Sequence, residues 1–169
     1  MRFTDFLSED CIRPDLRAQE RMGVLHELAG MLAARTRAPR EQLETQLVAR
    51  ERISSTAIGG GVAIPHCRVE RMRQVTACVA VHPEGVDFGA RDGERVRLFV
   101  TLVSPTHSAG AHLGMLARIA ALMRDTRLRQ RLVEAPDAAT LRALFVQAED
   151  AYLASLMRHD AHHQPSTGL

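Results

Sequence analysis

Lysine and tryptophan are both absent from this chain of 169 residues, and tyrosine occurs once. Since arginine carries all the strongly basic charge, the missing lysine indicates a coding bias. The formal net charge of +2 is too small to indicate nucleic-acid binding, and the arginines are scattered among acids instead of forming a basic stripe. The shortage of aromatic side chains also leaves little to stack on bases. We therefore do not expect nucleic acid as a partner.

Long apolar runs and a leader peptide are missing as well. No apolar segment has the roughly 20 residues that a membrane-spanning helix needs. The N-terminus lacks the charged segment, apolar stretch and cleavage site of a signal peptide. The three cysteines are an odd number without metal-ligand spacing, which suits a reducing compartment. We expect a cytoplasmic protein without membrane insertion and without a metal or other cofactor.

The hydrophobic pattern predicts helices and strands in a single layered domain. Helical spacing of apolar residues predicts helices over about 17–36, 39–50, 110–124 and 138–157, with a short helix around 126–132. Alternation of apolar residues predicts a strand at 75–81, and an apolar run on both faces predicts a central strand at 96–103. We expect short extended segments at 11–13, 62–64 and 86–88. We expect a helix–sheet–helix arrangement, with a disordered polar tail over 158–169.

The segment from Arg50 to His66 carries the strongest chemical signal. It joins arginines at a helix end to a loop rich in hydroxyls and glycines, after which a short strand and Pro65 present His66. Glycines let backbone N–H groups approach an anion, and arginine offers planar donors to phosphate oxygens. Pro65 restricts its own φ and that of Ile64, which would aim the ring. These residues predict an anion site with a nucleophilic histidine, although the glycines match neither the Walker nor the dinucleotide spacing.

The order of residues in this segment resembles a known active-site signature. The run is Arg50-Glu51, then Ser55-Thr56-x-Ile58-Gly59-x-Gly61-Val62-Ala63-Ile64-Pro65-His66. It is similar to the signature of the fructose/mannitol-type IIA domains of the bacterial phosphotransferase system, and within them to the nitrogen-regulatory IIA proteins. The likeness extends over about 3–146. It implies an α+β fold, a three-layer α/β/α arrangement with a central mixed β-sheet, in one domain over 1–157.

The resemblance also implies roles for particular residues. His66 would accept a phosphoryl group from a phosphohistidine of the carrier protein HPr, or of its nitrogen-branch counterpart. His112 corresponds to a second family histidine at a helix start, where backbone N–H groups favour an anion. Arg50 corresponds to the family's electrostatic clamp. Ser55 or Thr56 would bind the phosphate or orient the ring, and the sequence leaves open which.

Two positions depart from the family pattern. Cys67 stands where the family usually has glycine, and we interpret it as a tolerated small residue; the alternative is a thiol whose oxidation blocks docking. Gly60 stands where relatives often carry a polar or acidic residue. The loss of that side chain leaves open which tautomer of His66 is present.

Three functions remain open at this stage. The first is a regulatory phosphocarrier, whose phosphorylation on His66 changes the proteins that it binds. This is favoured because His66-x-Arg68-Val69-Glu70 resembles the regulatory branch, and because we expect no fused IIB or membrane domain. The second is a sugar-transport IIA component that passes phosphate to a IIB domain. The third is a binding-only domain, against which the presence of both His66 and His112 argues.

Overall fold

A six-stranded mixed sheet forms the centre of residues 1–162, the part of the chain that the computed structural model describes. The strands are β1 (Ile12–Arg13), β2 (Ala57–Gly59), β3 (Val62–Ala63), β4 (His66–Val69), β5 (Thr76–Val86) and β6 (Val96–Pro105). Their order is β1-β5-β6-β3-β2, and β4 also pairs with β6. β5 and β6 are antiparallel, whereas β3 and β4 run parallel to β6. The central position of β6 explains its two-sided apolar pattern.

Helices cover both faces of this sheet. They are α1 (Arg21–Ala33), α2 (Arg40–Ile53), α3 (Ala109–Leu122), α4 (Thr126–Glu134) and α5 (Ala138–His162). Phe99 of β6 belongs to the hydrophobic core under α1 and α2, and the next residue, Val100, belongs to the core under α3, α4 and α5. Successive strand residues point to opposite faces, so β6 contributes to both cores. The predicted α+β fold with three layers is confirmed.

Two short strands were not expected from the sequence. β2 lies inside a segment predicted to be a loop, and β4 begins at the candidate nucleophile itself. β2 and β3 form an antiparallel pair, and the turn between them contains Gly60 and Gly61, both with positive φ. Strands of three or four residues carry too little alternation to be recognised, and β4 is defined by pairing with β6, more than thirty residues later.

The last helix is longer than the pattern predicted. α5 was expected to end near 157, but it continues to His162, so the tail predicted over 158–169 is helical at 158–162. The ring of His159 hydrogen-bonds to the Ser155 carbonyl of the previous helical turn, at 2.9 Å. Residues 163–169 of the predicted tail lie outside the described residues. Among the helices of 1–162, none combines the length and hydropathy needed to cross a membrane. The single domain over 1–157 stays a prediction.

An interruption between β3 and β4 places His66. The two strands run in one line along β6, Val62 pairing with Leu98 and His66 with Leu102. Between them, the chain leaves regular pairing at Ile64 and Pro65, with the Leu102 amide donating to the Pro65 carbonyl at 3.0 Å. β6 then ends at Pro105, from which the chain enters α3. The start of β4 and the first turn of α3 therefore meet at one end of the sheet.

Candidate active site

Both ring nitrogens of His66 have hydrogen-bond partners. Nδ1 lies 2.8 Å from the carbonyl oxygen of Ile64, and Nε2 lies 3.0 Å from Nε of Arg50. A carbonyl oxygen can only accept a hydrogen bond, and a guanidinium N–H can only donate one. Nδ1 therefore carries the proton, and Nε2 carries the lone pair. The surroundings select one tautomer, in which Nε2 is the nitrogen able to act as a nucleophile.

The backbone around Pro65 makes this arrangement possible. Because Ile64 and Pro65 interrupt the pairing of β3 and β4 with β6, the Ile64 carbonyl is available to the His66 ring two residues later. The Ile64 amide donates to the Thr56 carbonyl at 2.9 Å, which holds this short segment against the loop after α2. Pro65 adds a fixed φ. The local sequence thus orients the ring through its own backbone.

Arg50 lies in the last turn of α2, with its side chain partly buried. Its Nη1 donates to the Ser54 carbonyl at 3.1 Å, at the end of the same helix. Its Nε donates to His66, so the guanidinium is held between the helix end and the ring. A guanidinium has five N–H donors, and those not used here remain available to the oxygens of a phosphoryl group.

His112 faces His66 from the first turn of α3. The two ring centroids are 5.6 Å apart, and the His112 residue is 8% exposed. Its Nδ1 lies 2.7 Å from Oγ of Ser104, a buried hydroxyl at the end of β6. When that hydroxyl donates to Nδ1, the proton of the neutral His112 ring is on Nε2. His112 then presents an N–H donor on the side opposite Ser104.

Burial and charge keep both rings neutral near neutral pH. Burial is the largest cause that lowers the pKa of His66, and the charge of Arg50 adds to it; the hydrogen bond to Ile64 acts in the opposite direction. The pKa of His112 falls to about 4, first through burial and then through the charges of His66 and Arg68. A neutral imidazole is the form that can act as a nucleophile.

The two histidines line an open cleft of about 670 Å³. Two large apolar side chains at its edge are well exposed, Ile53 at 80% and Leu113 at 69%. Such a surface can exclude water when a partner protein docks on it. Among the side chains of residues 1–159, no group of three or more His, Cys, Asp or Glu could hold a metal ion. The arrangement offers a nucleophile, a cation and a second imidazole in an accessible site.

The two candidate hydroxyls are engaged away from the His66 ring. Ser55 Oγ donates to the carbonyl of Phe88 at 2.6 Å. Thr56 Oγ1 donates to Glu51 at 2.6 Å, and the Thr56 amide donates to the same carboxylate. A phosphoryl group presents acceptors, so either hydroxyl would have to leave its present acceptor to bind it. A phosphate contact by Ser55 or Thr56 stays a prediction.

Comparison with known proteins identifies the family of this chain. The profile of a family described as "Phosphoenolpyruvate-dependent sugar phosphotransferase system, EIIA 2" matches residues 5–148. The chain belongs to this family. A nitrogen regulatory protein of Bradyrhizobium diazoefficiens is 33% identical over 138 residues, which cover 82% of this chain and 90% of the relative.

Solved structures of similar proteins share the fold. The nitrogen regulatory protein IIA-Ntr from Neisseria meningitidis superposes with a TM-score of 0.81 at 29% identity, covering 84% of this chain and 97% of that one. The mannitol IIA of Escherichia coli has been solved in complex with its phosphorylated IIB partner. It superposes with a TM-score of 0.72 at 18% identity, covering 83% of this chain and 96% of that one.

The two departures from the family pattern lie in different surroundings. Gly60 is in the β2–β3 turn, where its amide donates to Asp92 at 2.9 Å and a Cβ would lie 2.9 Å from the guanidinium of Arg129. The tautomer of His66 is set elsewhere, by Ile64 and Arg50. Cys67 is buried, and burial raises the pKa of its thiol to about 12. A thiol with that pKa reacts poorly, which favours the interpretation of Cys67 as a tolerated small residue.

Two residues of the site are not singled out by the sequence pattern. Ser104 supports His112, and its signal was a hydroxyl at the end of an apolar central strand, directly before Pro105. Glu51 accepts three hydrogen bonds from Thr56 and is 2% exposed. Its signal was an acidic residue between the arginines at the end of α2, which the pattern did not distinguish from a solvated charge.

Proposed function

We propose that this EIIA 2 family member is a phosphocarrier that accepts a phosphoryl group on Nε2 of His66. The donor is a phosphohistidine of HPr, or of its nitrogen-branch counterpart. The observation that carries the proposal is the pair of hydrogen bonds at His66, which leaves the lone pair on the nitrogen next to Arg50. The open cleft around this nitrogen supports it, because a partner's histidine must approach in line.

The transfer needs a nucleophile and charge stabilisation but no separate general base. The lone pair of His66 Nε2 attacks the phosphorus of the donor, and the P–N bond of the donor breaks. The donor ring, protonated on its other nitrogen, leaves as neutral imidazole. The His66 ring keeps its Nδ1 proton, and the Ile64 carbonyl stabilises the positive charge that the ring acquires. Protons and electrons therefore balance.

The neighbouring cation and imidazole stabilise the transferred group. The hydrogen bond from Arg50 to His66 Nε2 must break when the phosphorus bonds to that nitrogen. The N–H donors of Arg50 then bind the phosphoryl oxygens. The Nε2–H of a neutral His112 is a second donor, held in orientation by Ser104. The apolar edge formed by Ile53 and Leu113 excludes water from the transition state when the donor docks.

The main output of the phosphocarrier is regulatory. The nitrogen regulatory relatives support this reading. Phosphorylation attaches an anionic phosphoryl group to a neutral ring, which makes the local charge negative. A partner that packs on the apolar edge around the unmodified site would lose this contact, so phosphorylation would change which protein is bound.

The direct test is phosphate transfer from a phosphorylated HPr-type donor. We expect acid-labile phosphate on the wild-type protein and none on His66→Ala. The control is His26→Ala, which removes an exposed histidine of α1 that is paired with Glu44. Phosphorus NMR should place the group on the Nε2 nitrogen. Phosphate retained by His66→Ala, or attached to Nδ1, would contradict the proposal.

A second candidate output is sugar transport, because the family description itself names sugar phosphotransferase. In that case phosphorylated His66 passes its group to a IIB domain. Mixing the phosphorylated protein with purified fructose- and mannitol-type IIB domains distinguishes the outputs. Rapid discharge to a IIB domain favours transport, whereas stable phosphate, with binding partners that change on phosphorylation, favours regulation.

A further inference from the structure

A second cavity, of about 220 Å³, lies between the segment that follows α1 and the loop that joins β4 to β5. Four arginines line it: Arg35, Arg37, Arg71 and Arg73. Its lining includes no acidic side chain, and it shares no residue with the cleft around His66. We call it the arginine cavity.

Most of the positive charge in the arginine cavity is uncompensated. Arg35 forms an ion pair with Asp10 at 2.8 Å. Among the side chains described, those of residues 1–159, the other three guanidiniums have no hydrogen bond or ion pair. Like charges brought together around a small volume repel each other, and a bound anion relieves that repulsion. The charge arrangement therefore suits an anionic ligand.

A residue in the wall of the same cavity carries a buried hydroxyl without a partner. Thr36 lines the arginine cavity, and its Oγ1 is inaccessible to water and has no hydrogen-bond partner among the described residues. A buried hydroxyl that lacks a partner is destabilising. Rotation of the Thr36 side chain about χ1 would let the hydroxyl donate to an acceptor oxygen of a ligand in the cavity. This polar atom is independent of the arginine charges.

The backbone of the β4–β5 loop presents two of the arginines. Met72 is 7% exposed and anchors the loop to the core, with Arg71 and Arg73 on either side of it. Arg71 has a φ of 62°, and among residues 1–162 it is the one non-glycine residue with a positive φ. Residues in this conformation are strained and are concentrated at binding and switch regions.

We propose that the arginine cavity binds a small anion bearing two linked phosphoryl groups. Guanidiniums bind phosphate oxygens through paired N–H groups, and several of them together match a multiply charged anion better than a single carboxylate. The cavity is smaller than the about 300–1,000 Å³ of common ligand pockets, so it accommodates the diphosphate part of a ligand rather than a peptide segment. This site does not depend on phosphorylation of His66.

Calorimetric titration with inorganic diphosphate, at constant ionic strength, tests the proposal. We expect saturable binding at one site, and weaker binding of sulfate. Arg71→Ala and Arg73→Ala should each weaken the affinity by about tenfold or more, since each removes charge-assisted hydrogen bonds. Arg124→Ala, which removes an exposed arginine outside the cavity, is the matched control and should leave the affinity unchanged.

Thr36→Val distinguishes a specific binding site from a general attraction of anions to positive charge, because it changes no charge. It removes the hydroxyl but keeps the shape and all four arginines. We expect weaker diphosphate binding together with equal or higher thermal stability of the free protein, because the hydroxyl has no partner to lose.

The remaining arms separate this site from the candidate active site. His66→Ala should bind diphosphate with unchanged affinity, and the arginine-cavity variants should still accept phosphate from the donor, which also shows that they fold. Binding that does not saturate, that is the same in Arg71→Ala and Arg73→Ala, or that disappears in His66→Ala would overturn the proposal. Failure of phosphotransfer in the wild type would leave it intact.

Discussion

Arg50 and His66 form a hydrogen bond of 3.0 Å in which the guanidinium occupies the very nitrogen that we propose as the nucleophile. The cation helps to keep the ring neutral, and its bond to Nε2 has to open when phosphorus approaches. The same guanidinium can then bind the incoming oxygens. Arg50 therefore has one role before transfer and another during it.

Replacing Arg50 by alanine should lower the phosphotransfer rate and raise the pKa of His66. The rate should fall by roughly 100-fold, the usual effect of removing a preorganised donor to a developing charge. The pKa should rise because the Arg50 charge is one of the causes that lower it. Rapid-quench kinetics and NMR titration of the His66 ring measure the two effects. Arg52→Ala is the control, since Arg52 is an exposed arginine of the same helix turn; equal losses in both variants would contradict the assignment.

Replacing Ser104 by alanine should slow transfer by roughly tenfold, the equivalent of one lost hydrogen bond. The His112 ring would lose the 2.7 Å contact that holds it, and its buried Nδ1 would lack a partner. The matched control is Ser108→Ala, because Ser108 precedes α3 and its side chain makes no capping hydrogen bond. If Ser104→Ala only lowered stability and left the rate and the pH profile unchanged, Ser104 would not position His112.

The low pKa of His112 should make part of the stability pH-dependent. The pKa is 6.5 in an unfolded chain and about 4 in the native protein, so between these values the unfolded state binds more protons. This contribution is present above pH 6.5 and is lost as the pH falls toward 4. Its size is about 3 kcal/mol. Urea unfolding of the wild type and of His112→Asn, measured from pH 7 to pH 4, should show a difference in stability that changes across this window. Parallel profiles would show that His112 does not contribute.

Replacing Thr56 by valine should lower stability more than it lowers the transfer rate. The buried Glu51 carboxylate loses the 2.6 Å bond from the hydroxyl, at a cost of about 1.5–3 kcal/mol for a charged acceptor. Thr56→Ser keeps the hydroxyl and is the control. Chemical unfolding and transfer kinetics, measured on both variants, distinguish the roles. Slower transfer in Thr56→Val without loss of stability would mean that the hydroxyl contacts the phosphoryl group.

The sequence predicted the main helices, the central strands and the fold class, because long apolar periods report directly on burial. It failed at β2 and β4, whose few residues are strands only because β3 and β6 supply hydrogen bonds. The end predicted for α5 was also too early, since a polar segment can continue a helix without packing against the core. In the candidate site, the order of residues pointed to His66, Arg50 and His112, which the structure brings together.

What the sequence determined by itself was the identity of the groups that we propose to react: an ordered run ending at His66, with an arginine at a helix end and a second histidine at a helix start. Only the tertiary structure decided the tautomer of His66, the neutral state of both rings, the support of His112 by Ser104 and the arginine cavity. These depend on burial and on hydrogen bonds between groups that the sheet brings close together, such as Ile64 with His66 and Ser104 with His112. Spacing along the chain specifies which residues are present, whereas protonation and orientation are set by the groups that surround them in the folded protein.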